Sequence, residues 1–389
     1  MIHRIVILLL LLILLPDCYR AWRNSCRKVK KPLWQRILRW VPSVLMAAGT
    51  CLLACSKGFL PEKNWTISLY LWVLGVYFIP RFALRLCMAI GRLFRPLSKK
   101  RRNWGRPVGI LLALTCLYIF IYGMTLGPRQ LTVKQMEMTF GDLPEAFDGY
   151  RLVVISDLHL GSAQTAFVER VISTINVQQP DIICFLGDIQ NTEPQELYPY
   201  TTLLRSFEAR DGVISVLGNH DYSYYVSYKD DAVKAANERE TVARERQAGW
   251  TVLANESRRV ERHKQYIYFV GTENYSDRPQ RQPSTADLEK AMDGVPADAF
   301  VILLQHNPLF WRAEVSRQTD IPLTLCGHTH GGQISLLGQR ASSFRYPEDC
   351  GLYTQGHQRL IVTTGLGGLM PFRFNMPPEI VIITLRKSK

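Results

Sequence analysis

Gly327-His328-Thr329-His330-Gly331-Gly332-Gln333 closes an apolar run from Ile321 to Cys326. The run reads as a strand and the glycines as the tight turn that ends it, so two imidazoles one residue apart leave a sheet at the same edge. Histidine pairs also occur as hydrogen-bonded loop residues. The meaning of this pair therefore depends on what else the chain brings to that edge.

Four more apolar runs end in the same manner. The run from Arg151 leads into Ser156-Asp157-Leu158-His159-Leu160-Gly161, where a carboxylate and an imidazole, again one residue apart, suit a hard-to-borderline divalent ion. The run from Asp181 ends in Gly187-Asp188; a carboxylate has two oxygens, which makes Asp188 the candidate to bridge two ions. The run from Val213 ends in Gly218-Asn219-His220-Asp221, and that from Ala299 in His306-Asn307-Pro308. Core packing asks for apolar residues at such places, whereas sites in open α/β sheets lie beyond the carboxyl ends of the strands. Helical candidates alternate with these runs, at Gln164 to Asn176, Ala232 to Gln247 and Thr285 to Met292, so a layered α/β domain is expected.

In order and spacing, the five clusters resemble the calcineurin-like metallophosphoesterase superfamily from Val133 to Leu385. Within it the chain is most similar to the bacterial membrane-associated branch, through the opening Ser156 to Gly161, the ending Gly327 to Gln333 and the tail Thr364 to Ile380. The resemblance implies a four-layer α-β-β-α sandwich, its second sheet including Thr251 to Val260, Gln265 to Gly271, Leu360 to Thr364 and Glu379 to Leu385. It implies that Asp157, His159, Asp188 and His330 hold one metal ion, and that Asp188 with Asn219, His306 and His328 holds a second. His220 would not ligate; it would face the scissile phosphate as hydrogen-bond donor and acid to the leaving oxygen, oriented by Asp221. Gln190 and Asn191 stand where relatives often carry another acid, a position that is not a metal ligand.

Such residues suit metal-assisted hydrolysis. Two ions about 3.5–4 Å apart can clamp a phosphate, lower the pKa of a water and stabilise attacking and leaving oxygens. Hydroxide is the expected nucleophile, since no serine or cysteine with a base partner stands out. Asp, Asn and His ligands without thiolates favour manganese, iron or zinc over magnesium alone, with manganese the first expectation.

Residues 1–130 read as an α-helical membrane region and 131–389 as the hydrolase domain. Apolar stretches run from Ile5 to Leu15, Trp40 to Ser56, Trp65 to Pro80 and Pro107 to Gly127. The last three approach the length a spanning helix needs. The first is short and reads as a span or anchor in preference to a secretory signal, because Pro16-Asp17-Cys18 is not a small-residue cleavage site. Three or four spans are thus expected, without a buried charge pair or broken helix that would suggest transport.

Arg20 to Arg39 holds eight Lys or Arg and Arg81 to Arg106 nine, with no acid in either, while Lys57 to Lys63 holds two bases and one acid. The two basic loops are expected in the cytoplasm, which puts the last span outward and the catalytic domain on the extracytoplasmic side of the cell membrane. Residues 1–130 carry 21 bases and two acids, leaving 26 bases and 31 acids for the remainder. The net charge of +14 therefore belongs to the membrane loops, where anionic lipid attracts it, and no nucleic-acid partner is expected. Of nine cysteines only Cys184, Cys326 and Cys350 fall in the catalytic region, and the first two read as buried hydrophobes.

For the substrate the chain offers less. The segment Tyr222 to Tyr228 carries four tyrosines beside the Asn219-His220-Asp221 cluster, readable as a substrate rim or as packing of a lid. Arg373 reads as a surface salt bridge in preference to a phosphate contact. The expected activity is hydrolysis of phosphomonoester, phosphodiester or pyrophosphate bonds in lipid-linked or envelope substrates. The alternatives are a UDP-2,3-diacylglucosamine-type pyrophosphate hydrolase facing the cytoplasm and a non-catalytic membrane scaffold.

Overall fold

The computed structural model describes residues 2–28, 32–55, 64–97, 102–226, 228, 230–278, 280 and 282–388. The Lys57 to Lys63 connection and parts of both basic loops lie outside the described residues. Two compact units result, Met1–Gly123 and Met124–Lys389.

The first unit is helical. It contains α1 (Ile2–Cys26), α2 (Leu33–Cys55), α3 (Asn64–Val73) running through a π-helical turn (Leu74–Phe78) into α4 (Ile79–Leu93), and α5, which starts at Gly105 and ends at Thr125. Among the described residues, four segments are long and apolar enough to cross a membrane, of 22, 23, 28 and 25 residues. The first and third extend well past the apolar stretches, to Cys26 and Leu93. A helix satisfies its backbone internally, so it can carry Pro16 and Asp17 through an apolar layer provided the carboxylate finds partners. Asp17 does: it is 1% exposed, pairs with Arg81 and accepts the Ser43 hydroxyl at 2.6 Å. This overturns the expectation of spans without a buried charge pair. The two residues lie 64 positions apart, and each reads in sequence as the fringe of a basic loop. Close approach of α5 to α4 depends on Gly105, where a Cβ would fall 1.9 Å from the Cys87 carbonyl oxygen.

The second unit is a sandwich of two six-stranded sheets. The first has the order β1 (Thr132–Phe140), β14 (Glu379–Lys387), β2 (Arg151–Ile155), β3 (Ile182–Phe185), β4 (Val213–Ser215), β5 (Thr251–Val252). The second has the order β12 (Gly351–Gln355), β13 (Gln358–Val362), β9 (Leu323–Cys326), β8 (Val301–Leu304), β7 (Gln265–Gly271), β6 (Glu256–Arg262). A hairpin of β10 (Ser335–Leu336) and β11 (Gln339–Arg340) stands apart.

Period-two side-chain alternation builds the layers. Leu152, Val154, Ile182 and Ile214 point inward to meet Phe269, Ile302, Leu304 and Leu325 of the opposite sheet. Val153, Ile155, Ile183 and Phe185 point outward beneath Val168, Val171, Ile172 and Ile175 of α6 (Thr165–Val177). On the other outer face Val301, Leu303 and Cys326 lie under Phe310, Trp311 and Val315. The α-β-β-α sandwich is therefore present, with two changes of membership. β5 and β14 belong to the first sheet; β14 pairs antiparallel with β2 and parallel with β1. The stretch after Leu131 supplies β1, an edge strand in register with β14 over nine residues. Strands β2, β3 and β4 are mutually parallel, as are β8 and β9, so five strand ends gather at one rim.

Candidate metal centre

All seven residues expected as ligands converge at that rim. Asp157, His159 and His330 form one group of donor atoms lying within 4.8 Å of one another; Asp188, His306 and His328 form a second. Asp188 also groups with His159 and His220, which links the two. The backbone is bent to achieve this. Asp157, His159, Asp188, His328 and His330 all have φ between 49° and 73°, the left-handed region. A side chain there costs free energy, and such residues cluster where the surrounding structure holds them for function.

Around the second group four lone-pair atoms meet. His306 Nε2 lies 3.1 Å from Asp188 Oδ2, 3.1 Å from His328 Nδ1 and 3.2 Å from Asn219 Oδ1. His306 Nδ1 donates to the Leu186 carbonyl at 2.7 Å, which leaves Nε2 as the acceptor end of a neutral ring. Four such atoms around one point suit a cation. Burial alone would lower the His306 pKa, but the Asp188 carboxylate outweighs it and raises it to about 9, so a proton takes that place when no metal does.

The first group shows the same need. His159 Nδ1 lies 3.2 Å from Asn191 Oδ1, and its Nε2 is buried without a partner. Asp157 Oδ1 is likewise buried and unpartnered, with His330 Nε2 3.4 Å away. Burial, with neighbouring positive charge, holds His159 and His330 at pKa values of about 3, so both imidazoles are neutral and able to ligate. Oxygen and imidazole donors of this kind, buried without partners, fit divalent ions.

Asp188 faces both groups through a single oxygen. Oδ1 accepts the His220 backbone N–H at 2.8 Å, while Oδ2 points at His306 Nε2 and, at 3.8 Å, at His159 Nε2. Glycine makes room for it: a Cβ on Gly218 would fall 2.2 Å from Asp188 Oδ1.

The structure does not place Asp221 on the His220 ring. The His220 Nδ1 lies 2.6 Å from the Asn191 carbonyl oxygen, and the ring stacks on Tyr225 with centroids 4.2 Å apart. The Asp221 carboxylate instead collects the backbone N–H groups of Asp188, Ile189, Gln190 and Gly218, at 2.7 to 3.3 Å. A side chain leaving a strand end points back under the turn as readily as toward its neighbour. Arg373 also departs from expectation, being 2% exposed and donating to the carbonyls of Thr364, Gly365 and Gly367 rather than to an acid. Sequence reasoning attached no role to Asn191, which binds His159 and His220, and did not see Tyr346, whose hydroxyl lies 2.8 Å from His328 Nε2. Only the tyrosine-rich segment offered a signal, and of its residues Tyr225 reaches the centre.

Fold and centre together define a metal-dependent phosphoric ester hydrolase. Residues 3–128 match the probable calcineurin-like phosphoesterase transmembrane domain, and residues 150–332 the calcineurin-like phosphoesterase domain. The chain is 30% identical over 297 residues to the uncharacterized metallophosphoesterase YkuE of Bacillus subtilis (strain 168), covering 71% of this chain and 93% of that protein. It is 29% identical over 341 residues, 84% of this chain and 75% of its relative, to the transmembrane protein with metallophosphoesterase domain of Danio rerio. To the UDP-2,3-diacylglucosamine pyrophosphatase LpxG of Chlamydia trachomatis serovar D it is 28% identical over 340 residues, 71% of this chain and 97% of the other. The chain belongs to the calcineurin-like metallophosphoesterase family, and it is a multi-pass membrane member of it.

Proposed function

We propose that this enzyme hydrolyses phosphomonoester, phosphodiester or pyrophosphate bonds in lipid-linked or envelope substrates outside the cytoplasmic membrane, with two divalent ions, manganese first among them. The membrane region, residues 1–130, tethers the hydrolase, residues 131–389, at the bilayer. The observation that carries the metal reading is the meeting of four acceptor atoms around His306 Nε2.

Asp157, His159, Asp188 and His330 would hold one ion, and Asp188, Asn219, His306 and His328 the other. When bound, such ions neutralise the phosphate and provide a strong nucleophile from water at neutral pH. The protein's own residues do the remainder. Oδ2 of Asp188 faces both subsites, and its Oδ1 is held by His220 N–H. Nδ1–H of His220 donates to the Asn191 carbonyl, so Nε2 is the position that takes a second proton; in that imidazolium form Nε2 would donate to a phosphate oxygen and pass its proton to the leaving group.

Sidedness rests on the seventeen Lys and Arg of two loops without an acid. A second reading, cytoplasmic hydrolysis of a UDP-diacylglucosamine-type pyrophosphate, is favoured by the similarity to the chlamydial pyrophosphatase. The test is hydrolysis of an aryl phosphodiester and monoester by the detergent-solubilised chain. Stimulation by manganese and abolition by chelation are expected; full activity after exhaustive metal removal would refute the dimetal mechanism.

A further inference from the structure

Metal ligands work only if the correct end faces the ion, and each ligand's far end decides this. At His306 the far end meets a backbone carbonyl, and at His159 it meets Asn191. Asn219 and His328 differ. Asn219 Nδ2 donates to the Tyr225 hydroxyl at 2.7 Å, and His328 Nε2 lies 2.8 Å from the Tyr346 hydroxyl. We propose that Tyr225 and Tyr346 are positioning residues of the second metal subsite: each takes up the N–H at a ligand's far end and so turns Asn219 Oδ1 and His328 Nδ1 toward His306 and Asp188. This rests on the dimetal reading above.

The chemistry of the amide makes the first contact decisive. Oxygen and nitrogen of a carboxamide have nearly the same shape, so packing alone does not choose between them, and a turned-over amide would aim two hydrogens at the cation. The Tyr225 oxygen accepts from Asn219 and, at 2.6 Å, from Gln282 Nε2; two donors fill its lone pairs and favour the oxygen-inward orientation. For His328, a proton given to Tyr346 at Nε2 leaves Nδ1 bare, 3.1 Å from His306 Nε2. The ring of Tyr346 lies edge-on to His328 at 5.3 Å, and Tyr225 stacks on His220, so both tyrosines also fix ring planes.

Neither tyrosine comes from a strand end. Tyr225 belongs to the turn after Asp221, and Tyr346 follows the 3-10 helix Ala341–Phe344. Both hydroxyls reach, from loops at the rim, ligands of the second subsite and none of the first. Loss of either hydroxyl is therefore selective: it loosens the second ion and spares the first.

The experiment is calorimetric titration of manganese into the chelator-stripped, full-length protein in detergent, read as affinity per equivalent. Wild type is expected to take up two equivalents. Tyr225→Phe and Tyr346→Phe each weaken one of them roughly 10–100-fold, leave the other unchanged and keep the aromatic ring. Tyr222→Phe, in the same segment but bonded to Asn274 N, leaves both unchanged. A symmetric carboxylate has no wrong end, so in an Asn219→Asp background Tyr225→Phe has no further effect on metal. Wild-type binding by both phenylalanine variants, equal weakening of both equivalents, or an undiminished Tyr225→Phe effect in the Asn219→Asp protein would overturn the assignment. A wild type that binds two equivalents and hydrolyses no phosphoester defeats the proposed activity and leaves this inference standing.

Discussion

Asp221 holds Asp188 by its backbone: Oδ2 of the first accepts the N–H of the second at 2.7 Å, and the same carboxylate takes three further N–H groups of the turns that carry Asp188 and Asn219. Two loops from neighbouring strands are thereby closed on one buried anion. Burial and the Asp188 charge push the Asp221 carboxyl up to about 7, against the pull of those N–H donors.

Asp221→Asn replaces one acceptor oxygen by a donor that faces backbone N–H groups. Hydrogen bonds to a charged group contribute about 1.5–3 kcal/mol each, and part is recovered by the remaining oxygen. A loss of about 3 kcal/mol is expected, roughly 6–12 °C in Tm for a domain of this size, measured by thermal unfolding of the metal-free protein. An unchanged Tm would show that the anion does not hold the turns.

Asp188→Asn removes the one side chain whose oxygen faces both donor groups. Hydrolysis should vanish and bound metal should fall at both subsites, as measured by elemental analysis alongside activity.

His220→Ala separates chemistry from metal binding. Its ring touches Asn191 and Tyr225 and is expected to contribute as a proton donor, so turnover should fall roughly 10²–10⁴-fold with metal content nearly unchanged. Loss of both metals in this variant would mean that His220 is itself a ligand.

Glu245 gives the fold a pH dependence of defined sign. It is 0% exposed; its Oε2 accepts the Ser215 hydroxyl and its Oε1 has no partner. Burial first, and the Asp221 charge next, raise its pKa well above 4.5. A group whose pKa is raised in the fold binds its proton more tightly there, so its contribution is complete below the unfolded pKa and is lost as pH rises toward the folded value. Glu245→Gln keeps a neutral group at every pH. The variant should match wild type below about pH 4.5 and exceed it in Tm by a widening margin as pH rises above that; parallel curves would exclude the buried carboxyl as the cause.

A reporter fused after Lys389, or protease added to intact cells, tests sidedness. The basic loops predict a catalytic domain outside the cytoplasmic membrane. A cytoplasmic C-terminus would move the nucleotide-linked pyrophosphate to first place.

The sequence by itself determined the donor set and the architecture that presents it. Strand periodicity is local, so apolar runs ending in Asp157-Leu158-His159, Gly187-Asp188, Gly218-Asn219-His220, His306-Asn307-Pro308 and Gly327-His328-Thr329-His330 marked five strand ends, and resemblance supplied the sandwich around them. The apolar stretches before residue 130 likewise marked a membrane region ahead of the hydrolase, and the basic loops between them set the expected orientation. Tertiary structure alone decided which atom of each proposed ligand faces inward, because that depends on groups far away in the chain: Leu186 for His306, Asn191 for His159, Tyr346 for His328. It also took Asp221 from the neighbouring His220 ring to the Asp188 turn, joined Asp17 to Arg81, and gave β1 and β14 to the first sheet. Each of these is a pairing of polar groups or strand edges across long sequence separations. Local pattern carries the need for a partner, and only the folded chain supplies its identity.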